Sequence, residues 1–462
     1  MINYFNFKKY KNKFLITNDF GRYDFLTPFE FKSLLLEKIN NDSETGKRLQ
    51  RKYFIYNSND EEFSRNSAFE IYSSKNYLYK STSLHIFVVT SACNQKCVYC
   101  QAQSENSCKK GFMNKETAKK AVDIAVQSPS DYLDFEFQGG EPLLNFEIIK
   151  FIVEYSKSIS NKHIKFSLVT NLTLINQEMI DFIIQHNINV STSLDGNEFV
   201  HNANRPYQND GETFSDVINS INKLRKNGIF VGAIQTTTKT SLSYYREIVD
   251  AYTDLGFRSI FIRPLTPLGY AKEHWDKIGY IAEDFTEFYK NTLDYILEKN
   301  KAGCNLVEGH ARTFLTKLLS GFSPNYMELR SPCGAALGQL AYYYDGNIFT
   351  CDEARMLFEM GDNSFCVGNV YESDYNSIID SKISVLAAKA SVLESLPSCS
   401  DCVYQPYCGV CPVVNYAINN DVYENTPQEY KCKIYSGMLE SIFDYLYFED
   451  KDSMDVFRRW IE

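Results

Sequence analysis

The chain has 462 residues, 44% of them hydrophobic, and a formal net charge of −10. At roughly 150 residues per domain this predicts about three domains; no run of about 18 apolar residues would cross a bilayer, no Lys/Arg stripe would fit nucleic acid, and the first residues lack a signal peptide's apolar stretch. The expectation is a cytoplasmic protein whose partners are neither membrane nor nucleic acid.

Residues 1–80 are rich in lysine, asparagine and tyrosine, with short apolar runs. "KFLITN" (13–18) and "RYDFLT" (22–27) read as strands around the turn residues Asn18, Asp19 and Gly21. Thr27 then N-caps a helix that has Pro28 first and Glu30 closing a capping box. Its apolar face is Phe31, Leu34, Leu35, Leu36 and Ile39. This predicts a small winged-helix-like domain.

From 84 to about 265 the pattern alternates. Strands are predicted at 84–90, 133–137, 164–169, 189–193, 229–236 and 259–263, and helices at 115–127 and near 146–158, 177–186, 213–226 and 243–254. Six β-α repeats imply an α/β fold, a parallel sheet with crossover helices. Active residues then belong at the C-terminal strand ends. Residues 271–332 read as a helical linker. Residues 333–462 hold a second crowd of cysteines and a last amphipathic helix at about 433–449.

Thirteen cysteines stand against six histidines. In a reducing compartment this favours sulfur-ligated iron or zinc over disulfides. Cys93, Cys97 and Cys100 follow the first strand in C-x₃-C-x₂-C spacing, one thiolate short of a closed four-ligand site. Spacing alone leaves open three buried cysteines, or a zinc site with a distant fourth ligand. The neighbouring residues narrow this. Tyr99 precedes the third cysteine, the second strand ends in Gly139-Gly140-Glu141-Pro142, and the fourth ends in "SLDG", with "NRP" a few residues on.

With those residues the sequence resembles the radical S-adenosylmethionine (SAM) enzymes. The resemblance implies a partial (β/α)6 TIM-type barrel over residues 81–270. It implies a [4Fe–4S] cluster on Cys93, Cys97 and Cys100, whose free iron chelates the amino and carboxylate groups of SAM. Electron transfer then breaks a C–S bond and releases a 5′-deoxyadenosyl radical, the electron coming from a donor such as flavodoxin or ferredoxin. SAM contacts are implied for Tyr99, Gly139, Gly140 and Glu141, for Ser193 or Asp195 at the ribose, and for Arg205 at the carboxylate. A bidentate contact suits that last role, although Arg205 could be an ordinary surface arginine. Glycines 139 and 140 are expected to let the backbone approach SAM closely.

The later cysteines run Cys333, then Cys351 after Gly346, then Cys399, Cys402, Cys408 and Cys411, then Cys432. Zinc ribbons need two C-x₂-C pairs about 15–20 residues apart; here five residues separate the pairs. The set resembles the seven-cysteine SPASM domain of radical SAM peptide maturases. That implies two auxiliary [4Fe–4S] clusters, three in all. Cys399, Cys402, Cys408 and Cys432 would hold the outer one. Cys333, Cys351 and Cys411 would hold the inner one, its fourth position absent or filled by another side chain. The family's block usually ends C-x₃-C, whereas Cys408 and Cys411 are separated by two residues. Cys108, Cys304 and Cys366 fall outside the motifs and are expected to be small buried apolar groups, with Cys366 an optional extra ligand. A carboxylate at Asp352, just after Cys351, matches the position at which related maturases deprotonate substrate; pairing with Arg355 or capping a turn is the alternative.

"FLITNDFGRYDFL", "CNQKCVYCQ", the loop "IRPLTPLGYA" (262–271) and "TCDEARMLFEMGDNSFCVGNV" together resemble the maturases of His-Xaa-Ser peptide systems. The resemblance implies an enzyme that modifies a ribosomally made precursor peptide, with residues 1–80 gripping the leader by strand addition and the radical starting an intramolecular cross-link. A maturase of a folded protein such as a sulfatase, a small-molecule dehydrogenase, and a non-enzymatic iron–sulfur or zinc protein are the competing readings.

Overall fold

The structure is a computed structural model that describes residues 1–56, 61–103, 111–423 and 429–462; Cys108 lies outside them. Three strands, β1 (Asn6–Tyr10), β2 (Lys13–Thr17) and β3 (Tyr23–Leu26), form an antiparallel sheet in that order. The helix Pro28–Leu35 follows, its capping box formed as expected: Glu30 N–H donates to Thr27 Oγ1 at 3.2 Å and Thr27 N–H to Glu30 Oε2 at 2.9 Å. Ile16, Leu26, Phe31, Leu34, Leu49 and Phe54 close a small core of their own. β1 escapes sequence reading because its middle, Phe7-Lys8-Lys9, is exposed. Lysines on an edge strand discourage further pairing and erase the apolar alternation.

The six expected strands are β4 (Leu84–Thr90), β5 (Tyr132–Gly139), β6 (His163–Val169), β7 (Asn189–Ser193), β8 (Val231–Thr236) and β9 (Ser259–Arg263). All five neighbouring pairs are parallel. On β5, Leu133, Phe135 and Phe137 are buried in the core that packs the helices. Alternation puts Asp134, Glu136 and Gln138 on the other face. That face is polar, which explains why most of these parallel strands lack the continuous apolar runs of fully packed ones; β4, buried at six of its seven residues, is the exception.

The sheet extends at both edges. β10 (Val307–Glu308) pairs parallel with β9. The stretch 271–332 is therefore not helical throughout; two residues were too short a run to signal a strand. At the other edge β11 (Gln339–Tyr342) pairs parallel with β4, and β12 (Asn347–Phe349) and β13 (Cys366–Asn369) continue antiparallel. The cysteine-rich part thus shares the sheet of the β-α part. The helix expected at about 433–449 runs Tyr430–Phe448 and packs on the helix Ala282–Lys301; it is not the last, for a helix Lys451–Ile461 follows and buries Val456, Phe457 and Trp460. Among the described residues no helix is long and apolar enough to cross a membrane.

The N-terminal sheet is tied to the loop that carries the outer cysteines. Asn6 Nδ2 donates to the carbonyls of Ser400 and Cys402 at 3.0 and 3.1 Å, and Thr17 Oγ1 to that of Val403 at 2.8 Å. Asn6 and Thr17 are register partners, so one face of the sheet makes both contacts. Tyr407 returns a hydrogen bond to Gly21 O at 3.0 Å.

Candidate active site

The first cysteine loop leaves β4 and is held by the "NRP" segment. Val98 N–H donates to Asn204 O at 2.9 Å and Lys96 N–H to Pro206 O at 3.0 Å. Arg205 is buried, not a surface residue. Its guanidinium lies 5.1 Å from the Tyr99 ring centroid, donates to Cys97 Sγ at 3.7 Å and pairs with Asp195, Nε to Oδ1, at 3.1 Å. Asp195 also accepts from Tyr99 Oη at 2.7 Å, Asn204 Nδ2 at 3.1 Å and Thr236 N–H at 3.2 Å. With no exposed surface and both oxygens engaged, Asp195 organises this cluster. Of the two residues expected at the ribose, Ser193 is the one left half-exposed at its strand end.

Gly139 and Gly140 have a reason other than closeness to a ligand. A Cβ on Gly139 would stand 2.4 Å from Thr90 O, and one on Gly140 would stand 2.3 Å from Ala92 O. Both contacts are to the backbone that leads into Cys93. We predict that Gly140→Ala forces this root apart, costing about 1–3 kcal/mol as overpacking does. An unchanged Tm with unchanged iron content would contradict it.

Glu141 is fully buried and turned inward. It accepts from Thr170 Oγ1 at 2.6 Å, Asn171 N–H at 2.8 Å and Leu143 N–H at 3.0 Å, joining the exit of β5 to that of β6. Burial pushes its carboxyl up to about 7 against these hydrogen bonds. It supports the site from behind. Asn171 Nδ2, not singled out from the sequence, lies 3.9 Å from Cys93 Sγ. Burial raises the thiols of Cys93 and Cys97, the latter to about 12 although Arg205 opposes it.

The later cysteines sort into two groups. Cys399 and Cys408 pack against the same small apolar cluster of Leu393, Leu396 and Val410. Cys399, Cys402, Cys408, Cys411 and Cys432 line a partly open cavity of about 440 Å³. Cys333 and Cys351 belong to one buried apolar cluster, and Cys411 packs against it. Cys411 therefore lines the cavity beside Cys408 and also touches the Cys333 and Cys351 cluster. Gly409 allows it: a Cβ there would meet Glu328 O at 1.9 Å, and Cys411 then caps the helix Pro412–Asn419. Sulfur donors around a cavity are chemically suited to iron–sulfur clusters. Among the described residues no three His, Cys, Asp or Glu side chains converge as around one metal ion. Cys304 and Cys366 are half-buried.

Asp352 starts the helix Asp352–Glu359, and its Oδ1 accepts from Arg355 Nη2 at 2.5 Å and Nε at 3.2 Å. Arg355 also reaches Gln138 at 3.5 Å, which bonds Glu136 at 2.6 Å. The polar face of the sheet and the second cysteine region therefore meet at Asp352. Glu136 is pushed up by burial and then by the nearby Asp352. A second cavity, about 420 Å³, lies beside them, lined by Arg263, Pro264–Pro267, His310, Glu328, Lys431 and Tyr435. The loop after β9 thus helps to line a pocket. Sequence reading missed Glu136, Glu328, Glu353 and Lys431, because single charged residues carry no motif.

The superfamily model for radical SAM matches residues 87–242. An uncharacterised protein of Methanocaldococcus jannaschii is 35% identical over 199 residues, 43% of this chain and 67% of that one. The chain belongs to the radical SAM superfamily and is thus of an enzyme class. A cysteine-type anaerobic sulfatase-maturating enzyme of Clostridium perfringens is 26% identical over 282 residues, covering 58% of this chain and 74% of its own. The structure of anSMEcpe with bound AdoMet superposes with a TM-score of 0.68 at 23% identity, over 82% of this chain and 98% of that one. Streptococcus suis SuiB bound to precursor peptide SuiA gives 0.56 at 17% identity, over 93% and 98%. These last two likenesses are of fold.

Proposed function

We propose that the chain is a SAM-dependent radical enzyme that modifies a ribosomally made precursor peptide, by hydrogen abstraction and an intramolecular cross-link. Cys93, Cys97 and Cys100 would hold the SAM-binding [4Fe–4S] cluster. Cys399, Cys402, Cys408 and Cys432 would hold the outer auxiliary cluster, and Cys333, Cys351 and Cys411 the inner one. Bound SAM and a reduced cluster supply a 5′-deoxyadenosyl radical. The residues' own tasks are to aim and shield. Tyr99, Arg205 and Asp195 fix the cysteine loop, Gly139 and Gly140 let it pass close to β5, and Ser193 is offered to the nucleotide. Asp352 lies where a substrate proton could be taken, between the barrel face and the inner cysteines. A flavodoxin or ferredoxin would supply the electron, and a His-Xaa-Ser type system is the narrower context.

The observation that carries the peptide reading is the N-terminal three-stranded sheet fastened beside the outer cysteines. Residues 1–80 would take the leader, 81–270 the radical chemistry, 271–332 the link and 333–462 the auxiliary clusters. The SuiB likeness, which covers 93% of this chain, supports that arrangement. The sulfatase-maturating reading rests on the Clostridium perfringens relative. To separate them, reduced holoenzyme with SAM is given peptides encoded by short open reading frames beside its gene, with and without their leaders, and a cysteine-containing sulfatase peptide. We expect 5′-deoxyadenosine and a product lighter by two hydrogens only from a leader-bearing peptide. Turnover of the sulfatase peptide alone would establish the second reading.

A further inference from the structure

A third cavity, about 490 Å³, opens beside the turn between β2 and β3. Its lining comes from that turn (19–21), from 74–77, from 317–331, from Glu394 and from the outer-cysteine loop at 405–408. Two cations are buried in it. Lys317 is 7% exposed and Arg330 3%. Lys317 Nζ donates to the carbonyls of Leu329 and Tyr407, the latter at 3.3 Å. Arg330 donates through Nε to Pro332 O at 3.1 Å and through Nη1 to Asn325 Oδ1 at 2.5 Å, and its guanidinium lies 4.5 Å from the Tyr77 ring centroid. All of these partners are neutral. Among the described residues neither cation forms an ion pair. Taking an ion out of water costs several kcal/mol, and buried charges are ordinarily paired.

A third donor stands with them. Ser323 is 4% exposed and lines the same cavity, and its hydroxyl has no hydrogen-bond partner. Buried hydroxyls are ordinarily bonded. The other charged residues at the cavity are Lys75 and Glu394, which pair with each other, and Asp19, which is exposed. Three cations therefore face two carboxylates. Lys317 sits in a π-helical turn, Thr316–Ser320, that continues the helix Gly309–Leu315. Such turns recur at functional sites.

We propose that this cavity binds a peptide carboxylate, the glutamate or aspartate side chain of a precursor's leader. Ammonium and guanidinium groups donate and never accept, so their complement is an oxyanion that only accepts. A surplus of one positive charge suits a carboxylate monoanion better than a phosphate dianion. Phe20, Tyr77, Phe322 and Pro406 also line the cavity, apolar surface that fits the short stem of an acidic side chain. The turn at 19–21 belongs to the residues proposed to hold the leader. The site rests on that reading.

Binding is read without turnover, by ligand-observed NMR on the full chain. The probes are acetyl-Ala-Glu-Ala-amide, its Gln counterpart, glutarate and inorganic phosphate. We expect the Glu peptide to bind, and the Gln peptide to bind about tenfold more weakly or worse, as befits hydrogen bonds to a charged group. Ser323→Ala should weaken the Glu peptide about tenfold with Tm unchanged, because its hydroxyl has no partner to lose. Arg330→Met should weaken it further, and Ser323→Ala carries the test if that variant fails to fold. Equal affinity for the Glu and Gln peptides, or unchanged affinity in Ser323→Ala, would overturn the proposal. Tighter binding of glutarate or phosphate than of the Glu peptide would overturn the peptide source. A shifted reduction potential of the outer cluster in Arg330→Met, with Glu-peptide affinity intact, would assign the cations to the cluster's charge instead. The underlying reading fails separately. Product from a leader-bearing peptide with KM unchanged in Ser323→Ala keeps the function and removes the site. No product from any leader-bearing peptide removes the leader reading, whatever the NMR shows.

Discussion

Replacing Cys93, Cys97 and Cys100 together by alanine is expected to abolish 5′-deoxyadenosine formation and to remove about four of about twelve irons. The argument is geometric. The loop leaves β4 over two glycines that admit no Cβ. It is fastened at Lys96 and Val98 to the "NRP" segment, and Arg205 reaches Cys97 Sγ at 3.7 Å. Those fastenings use backbone atoms and Arg205, so alanine at the three cysteines leaves the fold in place and removes only the ligands. The later cysteine groups share no thiol with this one, so their iron should remain. Iron and sulfide analysis with chromatography of the SAM products decides it. Wild-type protein rich in zinc and poor in sulfide, or a triple variant that still cleaves SAM, would refute the assignment.

The second large effect is expected at Asp352. Asp352→Asn keeps shape and removes the base, and product should fall about 100-fold, in the range for losing general-base catalysis. The ion pair adds a complication that the sequence raised as an alternative. The Arg355 side chain is 2% exposed and pairs with Asp352 at 2.5 Å. Removing one partner of a buried pair costs about 3–5 kcal/mol, whereas replacing both by apolar groups is often neutral. Asp352→Asn should therefore also lower Tm, and adding Arg355→Met should restore stability without restoring product. 5′-Deoxyadenosine formation should persist in both variants. Normal product from either one excludes the base, while joint recovery of stability and product in the double variant would make Asp352 purely structural.

Much of the fold was legible because its signals are periodic. Strands β7 and β9 end where apolar alternation meets turn residues, β4 where a continuous apolar run does, and the Thr27 capping box announces its helix. β1 and β10 were not legible, one masked by edge lysines and the other only two residues long. At the site, the cysteines and glycines were visible as motifs, but the physical role of several was not. Nothing in "GGEP" says that the glycines make room for the protein's own Thr90 and Ala92 carbonyls, or that Glu141 turns away to bind Thr170 and Asn171. Asp195 and Arg205 were read separately as ligand contacts; packed against Tyr99 they form one buried cluster.

The pairing of β4 with β11, Leu84 beside Gln339 and Phe87 beside Tyr342, has a consequence for biosynthesis. About 250 residues of chain separate the two strands. At a ribosome's pace of about 5–20 residues per second, β4 waits on the order of 12–50 s for its neighbour. Six of its seven residues are buried in the finished protein, and an apolar strand with an unpaired edge is a template for wrong association. A nascent chain in this interval needs that edge shielded. A shortened version limited to residues 84–242, the superfamily match extended back to the start of β4, would carry the open edge permanently and should precipitate rather than serve as a minimal enzyme.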